Sequence, residues 1–175
     1  LAQNLIALLS GGSGAHKIYD VDARLRPEGG GSVLAASLEN YRKYLETRAM
    51  EWERLAMTRA RAVAGDAALG GKIEEILENF SYRSPFSLQE LERIGDIRMK
   101  RVEQSQKRHP GLTNVKSGLG GLADIDIIAQ AYAAHYGSQI PELRLRRTDA
   151  ILSALGRECV IEPTEAASLR EAYAF

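Results

Sequence analysis

The chain has 175 residues, 45% apolar and 26% charged, a composition of packed globular proteins and not of disorder. Lysine plus arginine and aspartate plus glutamate number 23 each, so no net field draws the chain to nucleic acid or to an anionic membrane, and any anion site must be local. A single cysteine, Cys159, excludes an internal disulfide and fits a reducing, cytoplasmic compartment, and no apolar run approaches the ~20 residues of a membrane span.

The opening LAQNLIALLS reads as a helix without the basic flank or cleavage pattern of a signal peptide. A turn-rich connector, GGSGAHK, leads into IYDVDARLRP. Its alternation puts Asp20, Asp22, Arg24 and Arg26 on one face and Tyr19, Val21, Ala23 and Leu25 on the other. This predicts a half-buried strand, ended by Pro27 and the Gly29–Gly31 run, with SVLAAS pairing back as a short hairpin partner. From an N-cap at Ser37, apolar residues at helical spacing as far as Val63 predict one helix of roughly 40 Å. Ile73, Ile76, Leu77 and Phe80 predict a second helix, closed at Ser84-Pro85. The Ser87-x-x-Glu90 capping box starts a third, which runs toward Lys107 and is stopped by His109-Pro110-Gly111. After an extended LTNVK, the loop SGLGG opens a helix through Tyr136 that Gly137 closes, and Thr148 and Thr164 cap two last helices. The order is a small β-containing piece, then a mostly helical body, with the boundary in residues 65–70.

Two segments carry candidate chemistry. Residues two apart on a strand lie ~7 Å apart, so Asp20 and Asp22 could both reach a metal-bound triphosphate; a solvated charged face gives the same pattern. In VKSGLGGLADIDI, Lys116 precedes the loop of Gly118, Gly120 and Gly121, and Asp124 lies in the first helical turn. That set suits a phosphate, and equally a glycine loop that lets two elements approach closely. The helix EWERLAMTRARAVAGD reads as laced by ion pairs between Glu51, Glu53 and its arginines. Gly12-Ser13 is too close to Asp20 to act as a nucleotidyltransferase phosphate loop. His16, His109 and His135 are scattered, without zinc-site spacing.

In their order, IYDVDARLRPEG, EWERLAMTRARAVAGD and VKSGLGGLADIDIIAQ resemble the glutamate-ammonia-ligase adenylyltransferase family. The resemblance implies a mainly α chain: an incomplete polymerase-beta-type nucleotidyltransferase domain over residues 1–66 (helix plus short β-hairpin), then a helical bundle over 67–175 that stops within a family motif. It implies transfer of AMP from ATP to a tyrosine of glutamine synthetase, with Mg²⁺, and a PII-type regulator as a further partner. By the same match Asp22 is the third catalytic carboxylate and a metal ligand with Asp20, while Arg24, Arg26, Lys116, Gly118, Gly120, Gly121 and Asp124 bind nucleotide. Ala49, Arg59 and LADID resemble the adenylylating rather than the deadenylylating half, and Ser32, Asp126 and Ile127 depart from the family pattern. The strand bearing the first two carboxylates is expected to precede Leu1, so the chain is read as a fragment, inactive alone. The alternatives are the deadenylylating half and a non-catalytic helical module that docks glutamine synthetase or a PII-type protein.

Overall fold

The computed structural model describes residues 2–12, 16–108, 110–111 and 114–174. Ser13, His109, Leu112, Thr113 and the chain ends, on which parts of the expectations above fall, lie outside the described residues. Two compact units divide the chain, Leu1–Ala49 and Met50–Phe175.

In the first unit, α1 (Ala2–Leu9) ends where the Leu9 carbonyl accepts the N–H groups of Ile18 and Tyr19, each at 3.0 Å. A 3₁₀ turn follows at Gly29–Gly31, then α2 (Leu38–Thr47), capped by Ser37, whose hydroxyl accepts the Asn40 N–H at 3.3 Å. The expected β-hairpin does not form: among the described residues there is no strand, so the sheet-containing nucleotidyltransferase element is replaced by irregular chain, while the mainly helical character stands. The physical reason is local. The Asp22 carboxylate accepts the Arg24 N–H at 3.0 Å, and the Arg24 carbonyl accepts the Arg26 N–H at 2.9 Å. These two-residue turns take up groups a ladder would need.

The predicted long helix is also two elements. Helix α2 stops at Arg48, and α3 (Glu51–Met57) starts anew because the Glu53 carboxylate accepts the Met50 N–H at 2.8 Å. The apolar stripe ends early, and Val63 is 79% exposed.

The second unit holds the remaining helices: α4 (Ala67–Ser81), α5 (Leu88–Arg108), α6 (Leu122–Tyr136), α7 (Thr148–Arg157) and α8 (Pro163–Ala174). The Asp66 side chain caps α4, and the Ser87–Glu90 box starts α5 as expected, with Ser87 N–H to Glu90 at 2.7 Å and Glu90 N–H to Ser87 at 3.3 Å. Thr148 does not cap α7; it lies inside the helix and its hydroxyl bonds Asp126 instead. One core joins α6 and α7 through Ile125, Ala129, Ala133, Ile151, Leu152 and Leu155, with Leu169 and Tyr173 of α8 packed against it. A second joins Leu55 of α3, Phe86, Ile94 of α5 and Ala134 of α6, so opposite sides of α6 serve two cores. Small Ala129, Ala133 and Ala134, all without exposed surface, let the neighbouring helices close on it.

The ion pairs expected within α3 are redirected across the bundle. Arg93 of α5 donates to Glu51 from both Nε, at 2.9 Å, and Nη2, at 2.5 Å. Burial pushes the Glu51 carboxyl up, but its backbone N–H and Arg93 outweigh that and leave it below its ordinary value. Burial likewise pushes Glu90 up, and the Ser87 hydrogen bonds with the nearby Arg54 and Arg83 charges bring it below.

Leu155→Ala should remove about 2–5 kcal/mol of unfolding free energy, read from urea midpoints, because the site is closed on all sides. Two carboxyls held low contribute stability that is complete above their unfolded value of 4.5 and is lost as pH falls through their lower folded values. The urea midpoint should therefore fall on acidification below that pH, and the fall should be shallower in the Glu51→Gln, Glu90→Gln double variant.

Candidate functional site

The first charged constellation lies on the loop of the first unit. Arg24 grips Asp22 with Nε to Oδ1 at 2.8 Å and Nη2 to Oδ2 at 2.6 Å, so the pair faces solvent as a planar fork. The hydrogen bonds from the Arg24 side chain, then its backbone N–H, hold the Asp22 carboxyl at about 2. Asp20 pairs with Lys17. Arg26 turns inward: its guanidinium donates to the carbonyls of Ala23, Gly30 (2.7 Å) and Ser32 (3.0 Å) and to the Ser32 hydroxyl (3.2 Å). Ser32 in turn donates to the carbonyls of Pro27 and Gly29. Arg26 thus staples the loop that presents Asp22 and Arg24.

Among the described residues no three His, Cys, Asp or Glu side chains gather to hold a metal ion. Asp22 fits one ligand position for a hard cation, being ionised and exposed, with both oxygens now on Arg24.

The second constellation lies in the second unit, around the glycine loop before α6. Arg98 of α5, 7% exposed, donates to the Asp124 carboxylate at 2.6 Å and to the carbonyls of Ser117 at 3.1 Å and Gly118 at 2.8 Å. The other Asp124 oxygen accepts the Gly120 N–H at 2.7 Å. Asn114 accepts the N–H groups of Lys116 and Ser117 on its side chain and that of Gly118 on its carbonyl. The N–H groups of Gly121, Leu122, Ala123 and Asp124 are taken by Gly118, Val115, Lys116 and Gly121. A Cβ on Gly118 or Gly121 would lie 2.5 Å from the carbonyl oxygen of Asn114 or Val115, and Gly120 sits at φ +72°, so the loop needs its glycines for close approach. The backbone donors of residues 116–118 and 120–124 are used internally, and an anion arriving there would meet the exposed Lys116 ammonium.

A third network was not anticipated. Arg59, after α3, donates from Nη2 to Asp126 at 3.2 Å and to the Thr148 hydroxyl at 2.8 Å, and from Nε to the Arg146 carbonyl at 3.3 Å. Thr148 donates to Asp126 at 2.5 Å. Residues of EWERLAMTRARAVAGD and LADID thereby meet in space.

Residues 1–76 match the glutamate-ammonia ligase adenylyltransferase family, and residues 96–175 match the GlnD PII-uridylyltransferase family. Proteins named bifunctional glutamine synthetase adenylyltransferase/adenylyl-removing enzyme align with the whole chain. That of Xanthomonas axonopodis pv. citri is 37% identical over 175 residues, 99% of this chain and 19% of its own length. Those of Pseudomonas putida and Rhizobium meliloti are 34% and 33% identical, each over 100% of this chain and 18% of their own length. This chain belongs to the glutamate-ammonia ligase adenylyltransferase family. It spans less than a fifth of the length of these family members.

Arg98 escaped the reading by pattern, although it carries a signal. Arg98 stands between Ile94 and Val102 on the buried stripe of α5, and a charge at that place must find buried partners. Asn114 had no such signal, because its role follows from a turn that only the folded loop defines.

Arg98→Ala should cost about 3 kcal/mol, since it strands a half-buried carboxylate and two inward carbonyls. Asp124→Asn keeps an acceptor for Gly120 and should cost about half as much. Urea titration ranks the two, and amide exchange at residues 117–121 should accelerate most in the first.

Proposed function

We propose that this chain is a segment of a glutamine synthetase adenylyltransferase and takes part in moving AMP from ATP to a tyrosine of glutamine synthetase. The observation that carries the reading is identity of 31–38% along the whole chain to relatives that bear that name.

In this reading Asp22 is the catalytic carboxylate of the segment and, with Asp20, a ligand to Mg²⁺. Bound Mg²⁺ supplies charge neutralisation at the phosphate oxygens of ATP. The low pKa of Asp22 keeps it an anion at every working pH, as a metal ligand must be. Arg24 leaves Asp22 for a nucleotide phosphate, which its fork fits equally well. Arg26 acts by positioning, because its donors are spent on the loop. In the second unit Lys116 is a separate candidate contact for a nucleotide phosphate, with Gly118, Gly120, Gly121 and Asp124 fixing the loop that carries it. The match of residues 96–175 to the PII-uridylyltransferase family supports a PII-type protein as regulatory partner. The setting is the cytoplasm; among the described residues no helix is long and apolar enough to cross a membrane.

The test uses the full-length protein, glutamine synthetase, Mg²⁺ and labelled ATP. Asp22→Asn should lower AMP transfer by about 100-fold or more, with circular dichroism and Tm unchanged, because the residue is exposed and keeps its shape. Transfer at the wild-type rate would overturn the Asp22 assignment, and no label on the synthetase with the wild-type protein would overturn the transferase reading. The 175-residue chain alone should label nothing.

A further inference from the structure

A pocket of about 140 Å³ opens in the second unit between the end of α4, the segment after α3 and the segment before α7. Its wall includes Glu74, Glu78, Ser81, Tyr82, Arg144 and Arg146. The acidic groups are already engaged: Glu78 accepts Arg144 Nη1 at 2.6 Å, and Glu74 accepts the Ala62 N–H at 3.1 Å and lies 3.5 Å from Arg146 Nη2. Both guanidinium groups are anchored at Nε, Arg144 to the Gly137 carbonyl at 2.7 Å and Arg146 to that of Ala60 at 3.3 Å.

Donors are what remain. Arg144 Nη2, Arg146 Nη1 and the Tyr82 hydroxyl make no hydrogen bond among the described residues. The Tyr82 ring reaches its place because Gly137 has no side chain: a Cβ there would lie 2.5 Å from the ring. Burial pushes the phenol up to about 12, so it carries its proton at neutral pH and is available as a donor. The volume is ample for a small tetrahedral ion.

We propose that this pocket binds a small oxyanion of the phosphate class, held by the free guanidinium edges of Arg144 and Arg146 and by the Tyr82 hydroxyl. Two anchored planar forks present donors at fixed angles, which suits a tetrahedral oxyanion and leaves a spherical anion poorly met. The site is built from residues of the second unit alone and does not rest on the transferase reading.

The test is calorimetric titration of the full-length protein with inorganic phosphate, sulfate and AMP, against chloride at matched ionic strength. Saturable phosphate binding is expected, weakened about tenfold by Arg146→Gln and clearly by Tyr82→Phe, and unchanged by Arg61→Gln outside the pocket. Arg146→Gln is the primary variant because Arg144 also holds Gly137, and circular dichroism checks that each variant is folded. Binding of phosphate alone would assign a free ion; AMP binding with the same dependence on Arg146 and Tyr82 would assign the phosphoryl group of a larger molecule. No saturable binding, an equal response to chloride, equal loss in Arg61→Gln, or crystals grown in phosphate with only water in the pocket would overturn the proposal.

Discussion

The second unit is built around one buried cation. Arg54 of α3 is 1% exposed and has no carboxylate as a direct partner among the described residues; its Nε donates to the Ser81 carbonyl at 2.9 Å and its Nη2 to the carbonyls of Ser84 and Ala134. The guanidinium also lies over the Phe86 ring, 4.0 Å from its centroid. One side chain therefore ties α3 to the end of α4, to the turn before α5 and to α6. Burial pulls its pKa down to about 10, so it remains charged at neutral pH and must be solvated from within. Three carbonyls and an aromatic face perform that solvation at Nε and Nη2, leaving Nη1 buried without a hydrogen-bond partner, and they fix where the 81–86 turn can lie. The core of Leu55, Phe86, Ile94 and Ala134 assembles around the same point.

Helices with chemically specific ends were legible in the sequence. Ser37, the Ser87–Glu90 box, the Gly121 start of α6 and the Gly137 stop act through hydrogen bonds between near neighbours, and the sequence shows such neighbours side by side. The break between α2 and α3 was hidden because Met50 is no usual cap, and only Glu53 folding back reveals it. The strand failed for a different reason. Alternation states which face a residue would take if the chain were extended, but a ladder needs a partner, and Asp22 and Arg24 found each other first.

The candidate site divides along the same line. That Asp22 and Arg24 sit exposed side by side follows from composition and spacing, whereas the spending of Arg26 on its own loop does not. Around Lys116 the two readings of the glycines were equal on paper. The folded loop favours close approach, since Asn114, Arg98 and Asp124 consume most of the polar groups a bare nest would leave open. The meeting of Arg59 with Asp126 and Thr148 depends on three elements far apart in the chain, and no window of sequence contains it.

Arg26, Arg54, Arg59, Arg98, Arg144 and Arg146 all donate to main-chain carbonyls. Every residue type supplies a carbonyl, so the receiving side of these contacts is indifferent to mutation. An exposed position such as Ser84 can drift in evolution without loosening the contact, while the donating arginine has no substitute with the same fork. Statistical searches for compensating pairs of changes among relatives would then register these arginines as solitary fixed columns, and would miss the strongest tertiary ties in the fold.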